Sequence, residues 1–323
     1  MTVSTPDIED DDAPPPLWLR VVILLVTAIV GLGLCEGVVR WKSEGATPHV
    51  EIFEVREDAL RLMPDQRLRL LRPDGTRWTL TTDEQGFRTS GSGWLVVGDS
   101  QVLGMGVPDD KAFPALLGAH NGGVPGFSLD DALDLGREHA QTMDGVVVVV
   151  NQANDWEEIA RPALERYEVC GGRLVMLASP PWRCSWMSSS LTRLQLVYFA
   201  SLAVLPRVPA PAWEAPHPAV TAELAAAVRV FEQERPDLPV VSVFLPVDYA
   251  TSAARAKDSP FHGRYEGRPW EEPSLNDALG LDVDLSPALS EPDSFQTGDY
   301  HLSVLGHQRV ADALRDAIAS ESR

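Results

Sequence analysis

The fold is decided by residues 94–100, WLVVGDS, an apolar run that ends in glycine, aspartate and serine. Consecutive apolar residues without polar alternation are typical of a strand that is covered on both faces, as in a parallel sheet. The same pattern recurs at 146–150, 174–178 and 240–245. We therefore predict that these runs are parallel strands of one sheet.

Helical patterns lie between and after these runs. We predict one helix over 155–168, a second over 219–235 with Thr221 as its cap, and a final helix that Ser303 caps. Alternating strands and helices with right-handed crossovers give a doubly wound sheet. The expected fold is α/β, a flavodoxin-like three-layer α/β/α sandwich with about five parallel strands.

The N-terminal region differs in composition from the rest of the chain. Residues 1–16 are acidic and end in prolines, which is typical of a disordered tail, and residues 17–41 form an apolar run flanked by Trp18 and Trp41. The separation of these tryptophans corresponds to ~34 Å of helix, enough to cross a bilayer core of ~30 Å. We predict a transmembrane helix over 17–41. A buried core helix is the alternative, and a cleaved signal peptide is disfavoured because no basic segment precedes the run.

Between the helix and the first strand, residues 42–93 contain short alternating stretches at 50–55 and 78–82, with a turn signal at 73–76. Such alternation predicts a small β-rich lead-in. The remaining residues, 94–323, form the predicted α/β domain.

Charge and cysteine content exclude some classes of function. The chain has 323 residues, 27 Lys+Arg and 47 Asp+Glu, a formal net charge of −20, and so acidic a surface repels nucleic acid. The three cysteines are too few for a disulfide scaffold and are badly spaced for zinc. Cys170 and Cys184 flank the run at 174–178, and both a disulfide and two separate thiols remain open.

Ser100 occupies the position where this fold class binds ligands. In a doubly wound sheet, ligands bind outside the carboxyl ends of the strands. A serine at that edge exposes its hydroxyl, and its backbone N–H lies near a helix N-terminus that suits a developing oxyanion. A turn followed by a helix cap is the alternative interpretation of the same three residues.

The surrounding sequence resembles a known family. Residues 97–107, VGDSQVLGMGV, with 109–117, DDKAFPALL, resemble the opening block of the SGNH (GDSL) hydrolases, most closely a membrane-anchored bacterial branch. Residues 121–128, NGGVPGFS, the pair Asn154-Asp155 and residues 299–307, DYHLSVLGH, resemble three further blocks in the same order. The segment 81–88, TTDEQGFR, is similar to a lead-in segment of this branch.

The resemblance implies catalytic roles. Ser100 is the expected nucleophile, His301 the base and Asp299 the acid, with Asp293 as the alternative acid because Asp-x-His replaces the more frequent Asp-x-x-His. The expected oxyanion donors are Ser100, Gly126 and Asn154. Gln152 departs from the glycine that usually precedes this asparagine by two residues.

Together these features imply a membrane-anchored serine hydrolase that cleaves an acyl ester through an acyl-enzyme intermediate. The alternatives are an O-acyl(acetyl)transferase that modifies an envelope or exported glycan, and a non-catalytic binding module. No cofactor and no metal are expected, and the expected partners are an acyl ester, with an acylated carbohydrate as one form, and the membrane, but not nucleic acid. The charges Arg20, Arg40 and Lys42 weakly favour a cytoplasmic domain. The resemblance instead implies an extracytoplasmic, periplasmic one.

Two further sets of residues have structural interpretations. His307 falls within the predicted final helix and is expected to pack rather than to act in catalysis. Trp156, Trp182 and Trp186 are expected to pack in the core, with pocket lining as the alternative.

Overall fold

The computed structural model describes residues 16–47, 49–72, 75–89, 91–152, 155, 161–179, 182–189, 194–197, 218–246, 275–291, 293–296 and 300–321. The strands include β1 Phe53–Arg56, β2 Ala59–Leu62, β3 Arg67–Leu71, β4 Arg77–Thr81, β5 Trp94–Gly98, β6 His120–Gly123, β7 Gly145–Asn151, β8 Tyr167–Cys170, β9 Arg173–Met176, β10 Val240–Leu245 and β11 Val283–Asp284. The helices include α1 Leu17–Lys42, α2 Ser100–Leu103, α3 Phe113–Leu117, α4 Leu129–His139, α5 Ala163–Arg166, α6 Trp182–Met187, α7 Pro218–Glu234, α8 Leu275–Leu279, α9 Ser286–Leu289 and α10 Val304–Glu321, and a 3₁₀ turn covers Asp109–Lys111.

Five parallel strands form the central sheet of the described residues. Their order is β6-β5-β7-β10-β11, and every neighbouring pair is parallel. The chain leaves β5 for β6 on one side and returns to β7 on the other, which is the flavodoxin-like order. The carboxyl ends of β5 and β7 therefore flank the point where the strand order reverses.

Helices cover both faces of this sheet. Along β7, Val146, Val148 and Val150 pack into one apolar cluster, whereas Val147 and Val149 pack into a second. This division follows from the two-residue period of a strand. The first cluster includes buried residues of α4 and α7, and the second includes buried residues of α10. The predicted α/β class with helices on both faces is confirmed.

The lead-in folds as two antiparallel hairpins, β1–β2 and β3–β4. Ile52, Leu60 and Leu80 are fully buried in the same cluster as the residues of α4. The lead-in is therefore packed onto the sheet domain.

Helix α1 is long and apolar enough to cross a membrane, and none of its most apolar stretch is buried by the rest of the protein. Near its C-terminal end, the carboxylate of Glu36 accepts hydrogen bonds from the backbone N–H groups of Gln195 and Leu196, at 3.0 and 2.9 Å. A single carboxylate thus joins the end of the helix to a distant segment of the chain.

Several sequence expectations are wrong. Residues 174–178 do not enter the central sheet, because β9 pairs antiparallel with β8 in a separate hairpin. The helix expected over 155–168 cannot extend to its predicted end, since β8 begins at Tyr167, and Thr221 lies inside α7 rather than at its cap. The N-terminal tail, apart from Pro16, lies outside the described residues.

The hairpin β8–β9 is tied to α6 by a disulfide between Cys170 and Cys184. The sequence left this pairing open. Glu168 lies close to the two sulfurs, but both are engaged in the covalent bond and do not offer thiolate ligands to a metal.

Candidate active site

Ser100 begins the short helix α2 directly after β5. The carboxylate of Asp99 caps this helix by accepting the N–H of Gln101 at 2.9 Å. Gly104 ends it with φ +80°, a left-handed conformation that favours glycine. The turn therefore holds Ser100 at the carboxyl edge of the sheet.

His301 lies against Ser100. Its Nε2 is 2.9 Å from Ser100 Oγ, although 201 positions separate the two residues in the chain, and each side chain is almost buried. The ring precedes α10, whose N-terminus is capped by Ser303: its hydroxyl accepts the N–H of Gly306 at 3.0 Å. The sequence predicted this cap, and the structure confirms it.

Gln101 fixes the segment that carries His301. Its side-chain nitrogen donates to the carbonyl of Tyr300 at 2.9 Å, and its side-chain oxygen accepts the N–H of Leu302 at 3.0 Å. Gln101 is fully buried. Sequence reasoning missed this residue because its partners are backbone groups near the other end of the chain.

Asn151 joins the ends of β5 and β7. Its side-chain amide donates to Asp99 Oδ2 at 2.7 Å, and its backbone N–H donates to the carboxylate of Asp155 at 2.6 Å. All three residues are buried. This bridge fixes the turn after β7 against the turn after β5 that carries Asp99 and Ser100, which we call the serine turn. The sequence contained no pattern that identified Asn151.

The side chain of Arg88 connects the lead-in to the residues that follow Ser100. The side chain is fully buried, and desolvation by burial lowers its pKa, opposed by Asp109. Its acceptors are the carboxylate of Asp109 and the backbone carbonyls of Thr79, Leu103, Gly104 and Val107. Because two of these carbonyls terminate α2, Arg88 supports the element that presents Ser100.

Gly126 lies in the turn after β6. Its φ is +86°, and a Cβ at this position would lie 3.2 Å from Cε2 of Tyr167. Both facts favour glycine. Two residues earlier, the N–H of Val124 donates to the carbonyl of Gly98 at 3.1 Å, which places the turns after β5 and β6 side by side.

Asn154, Asp299 and Trp156 lie outside the described residues. Asp293, the alternative acid, adopts φ +67°, and its carbonyl accepts the hydroxyl of Ser303. The described part of the predicted site is therefore Ser100, His301 and Gly126.

His307 is buried in α10. Its Nδ1 accepts the backbone N–H of Phe113 at 3.2 Å, and the two rings stack. Burial lowers the pKa of His307 to about 3, and the coulombic effect of the nearby Arg88 acts in the same direction. A neutral imidazole that accepts a backbone hydrogen bond fits the packing role expected from the sequence.

A cavity of about 300 Å³ lies between the lead-in, β6 and α4. Its lining contains neither Ser100 nor His301. Among the lining residues, Arg61 of β2 and Glu138 of α4 form an ion pair, so these two charges offset each other.

No protein-family model matches the chain, and no curated protein is significantly similar to it. A solved crystal structure is similar over 72% of this chain and 97% of its own, at 15% sequence identity and a TM-score of 0.34. A likeness of that size carries no argument about fold or function.

Proposed function

We propose that the chain is a membrane-anchored serine esterase of the SGNH type. The observation that carries the proposal is the 2.9 Å contact between Ser100 Oγ and His301 Nε2. It lies at the carboxyl ends of parallel strands, where doubly wound sheets bind ligands. A hydroxyl within hydrogen-bond reach of an imidazole is the arrangement that nucleophilic catalysis needs.

The reaction proceeds in two halves. Ser100 Oγ attacks the carbonyl carbon of the ester while His301 Nε2 takes the hydroxyl proton, and the same proton then passes to the departing alcohol. Water next gives a proton to His301 and attacks the acyl-serine. His301 returns this proton to Ser100 Oγ as the bond between Oγ and the acyl carbon breaks, which releases the carboxylic acid and restores both side chains. A sugar hydroxyl that replaces water in this step gives O-acyl transfer, so analysis of the products distinguishes the two reactions.

The remaining roles follow the resemblance. Asp299 orients His301 and stabilises its protonated form, and Asn154 with the N–H groups of Ser100 and Gly126 binds the oxyanion. Support for Gly126 comes from its position beside the serine turn and from Arg166, whose Nη2 donates to the carbonyl of Gly126 at 2.7 Å. This contact fixes the peptide group on the other side of Gly126 from the donating N–H.

Covalent labelling tests the nucleophile. The full-length protein in detergent is treated with a fluorophosphonate, and we expect one labelled serine, at position 100. Ser100→Ala and His301→Gln remove the label, whereas Ser320→Ala, an exposed serine of α10, retains it. Persistent labelling of Ser100→Ala, or an unlabelled wild type, overturns the proposal.

We propose in addition that the domain is extracytoplasmic. The disulfide between Cys170 and Cys184 supports this location, since disulfides persist in oxidising compartments. Alkaline phosphatase fused after Arg323 is expected to be active, because that reporter folds only where its own disulfides form. An inactive fusion, with a cytoplasmic fluorescent reporter bright at the same site, places the domain inside.

A further inference from the structure

Four large apolar side chains are exposed at the end of the hairpin β8–β9 and on α6, which packs against both strands of the hairpin. Trp182 is 65% exposed, Met176 58%, Leu177 53% and Trp186 43%. We call these four residues the hairpin face. The expectation that Trp182 and Trp186 pack in the core is wrong. Exposed large apolar residues on neighbouring elements are typical of a surface that binds a partner or a membrane.

A disulfide, a backbone hydrogen bond and a ring contact attach the hairpin and α6 to their neighbours. The disulfide joins β8 to α6, and the N–H of Leu177 donates to the carbonyl of Arg166 at 2.9 Å. The ring of Tyr167, on the same hairpin, packs toward Gly126. The hairpin face is therefore fixed to the sheet domain.

The hairpin is bound to the segment that follows α1. The carbonyl of Gly172, at the hairpin turn, accepts the N–H of Phe53 at 2.9 Å. Beside it, the guanidinium of Arg173 binds the carboxylate of Glu51 at 2.9 Å. Glu51 follows the last residue of α1, Lys42, by only nine positions, so the hairpin contacts a segment that lies close in the chain to the helix end.

A second connection runs from α6 to α1 itself. Gln195 follows Trp186 by nine positions, a stretch of at most ~32 Å when fully extended. Its N–H donates to Glu36 within α1, and its side-chain oxygen accepts the hydroxyl of Ser43 at 2.8 Å. The segment before the hairpin face thus contacts the residues that follow α1, and the segment after it contacts the end of α1 itself.

We propose that the hairpin face is inserted into the interface of the bilayer that α1 crosses. The partner is the lipid surface itself. Tryptophan prefers the headgroup level, where its ring is partly apolar and partly hydrated, and Trp41 at the same end of α1 is 79% exposed. The proposal rests on the membrane anchor and does not depend on catalysis by Ser100.

Fluorescence quenching by brominated lipids tests this placement. The full-length protein is reconstituted into phosphatidylcholine vesicles, with or without bromine on the upper part of the acyl chains. Trp182, Trp186, Trp18 and Trp41 are then within reach of the quencher. For the variant carrying both Trp182→Phe and Trp186→Phe we expect the quenched part of the emission to fall about twofold.

The control is Trp94→Phe, which removes a buried tryptophan of β5 and leaves the quenched part unchanged. Each single replacement, Trp182→Phe or Trp186→Phe, gives an intermediate value, which separates loss of contact from misfolding of the double variant. Equal quenching in wild type and all three hairpin variants overturns the proposal. Protection of these tryptophans by a soluble oligosaccharide, without bromine quenching, also overturns it and assigns the face to a glycan.

Discussion

Gln101 accepts the N–H of Leu302 at 3.0 Å, although the two residues are separated by 201 positions in the chain. The same amide donates to Tyr300, so one buried side chain holds the backbone on both sides of His301. Gln101 immediately follows Ser100, and its two partners immediately flank His301. The proposed nucleophile and base are therefore joined through the residues next to them in the chain. We infer that Gln101 is a positioning residue for the imidazole.

Gln101→Leu is expected to lower kcat/KM for ester hydrolysis by about 10- to 100-fold. The change leaves a buried N–H and a buried carbonyl without partners, at about 1–3 kcal/mol, and a factor of ten in rate corresponds to about 1.4 kcal/mol. The loss falls on kcat rather than KM, because the His301 ring is displaced while the acyl site is intact. Steady-state kinetics on a soluble acyl ester measure both constants.

Gln308→Leu is the matched control. This glutamine lies on α10, and its side-chain nitrogen donates to the exposed Asp312 at 3.0 Å. Its replacement is expected to leave kcat unchanged. A Gln101→Leu variant with wild-type kcat would contradict the positioning role.

Arg88→Met is expected to destabilise the protein by about 3–5 kcal/mol, since it removes the fully buried partner of the partly exposed Asp109 and leaves buried carbonyls unpaired at about 1–3 kcal/mol each. The carbonyls of Gly104, Val107 and Thr79 lose their guanidinium donor, whereas the carbonyl of Leu103 keeps the side-chain amide of Asn121 at 3.3 Å. Urea unfolding of the detergent-solubilised protein measures the loss.

Arg137→Met provides the comparison for Arg88. Arg137 pairs with Asp134 and Glu234 on a partly exposed surface. Surface pairs contribute about 0–1 kcal/mol, so this variant is expected to unfold close to wild type. Equal destabilisation by the two replacements would show that the buried hydrogen bonds of Arg88 contribute no more to the free energy of unfolding than the surface ion pairs of Arg137.

The sheet was predictable only where its strands are apolar. β5, β7 and β10 follow from runs such as 146–150, which are buried on both faces. β6, with the sequence HNGG, and the two-residue β11 carry no such signal. The run at 174–178 has the signal but forms an antiparallel hairpin, because apolarity alone does not specify a strand's partner.

Individual site residues were predictable where they belong to a sequence block. Ser100 and His301 were identified in this way, and the structure brings them together. Gln101, Asn151 and Arg88 were missed, since each acts through backbone groups or side chains on distant elements. Such roles arise from tertiary packing and leave no local pattern in one sequence.

The disulfide predicts the reactivity of the cysteines. With protein expressed at its native location and denatured without a reductant, we expect a maleimide to modify Cys35 alone, because Cys170 and Cys184 are joined. After reduction all three react. Peptide mass spectrometry distinguishes these outcomes, and modification of all three cysteines before reduction would contradict the disulfide and remove the support that it gives to an extracytoplasmic domain.

The buried His307 predicts a loss of stability in acid. Its pKa is about 3 in the folded protein, against an ordinary value near 6.5. Above ~6.5 the imidazole is neutral in both folded and unfolded chains, so it imposes no penalty. As the pH falls from ~6.5 towards 3, the unfolded chain binds a proton that the folded chain excludes, and the folded state loses stability.

His307→Asn tests this account, because the amide oxygen of asparagine occupies a place similar to Nδ1, accepts the N–H of Phe113 and does not titrate. Between pH 6 and 5, the free energy of unfolding of the wild type is expected to fall more steeply than that of the variant, by about 1.4 kcal/mol per pH unit. Carboxylates contribute to both proteins, so the difference between the two slopes isolates His307. Urea unfolding at several pH values supplies the slopes. Parallel slopes would mean that His307 is protonated in the folded protein, which is incompatible with its accepting the Phe113 N–H.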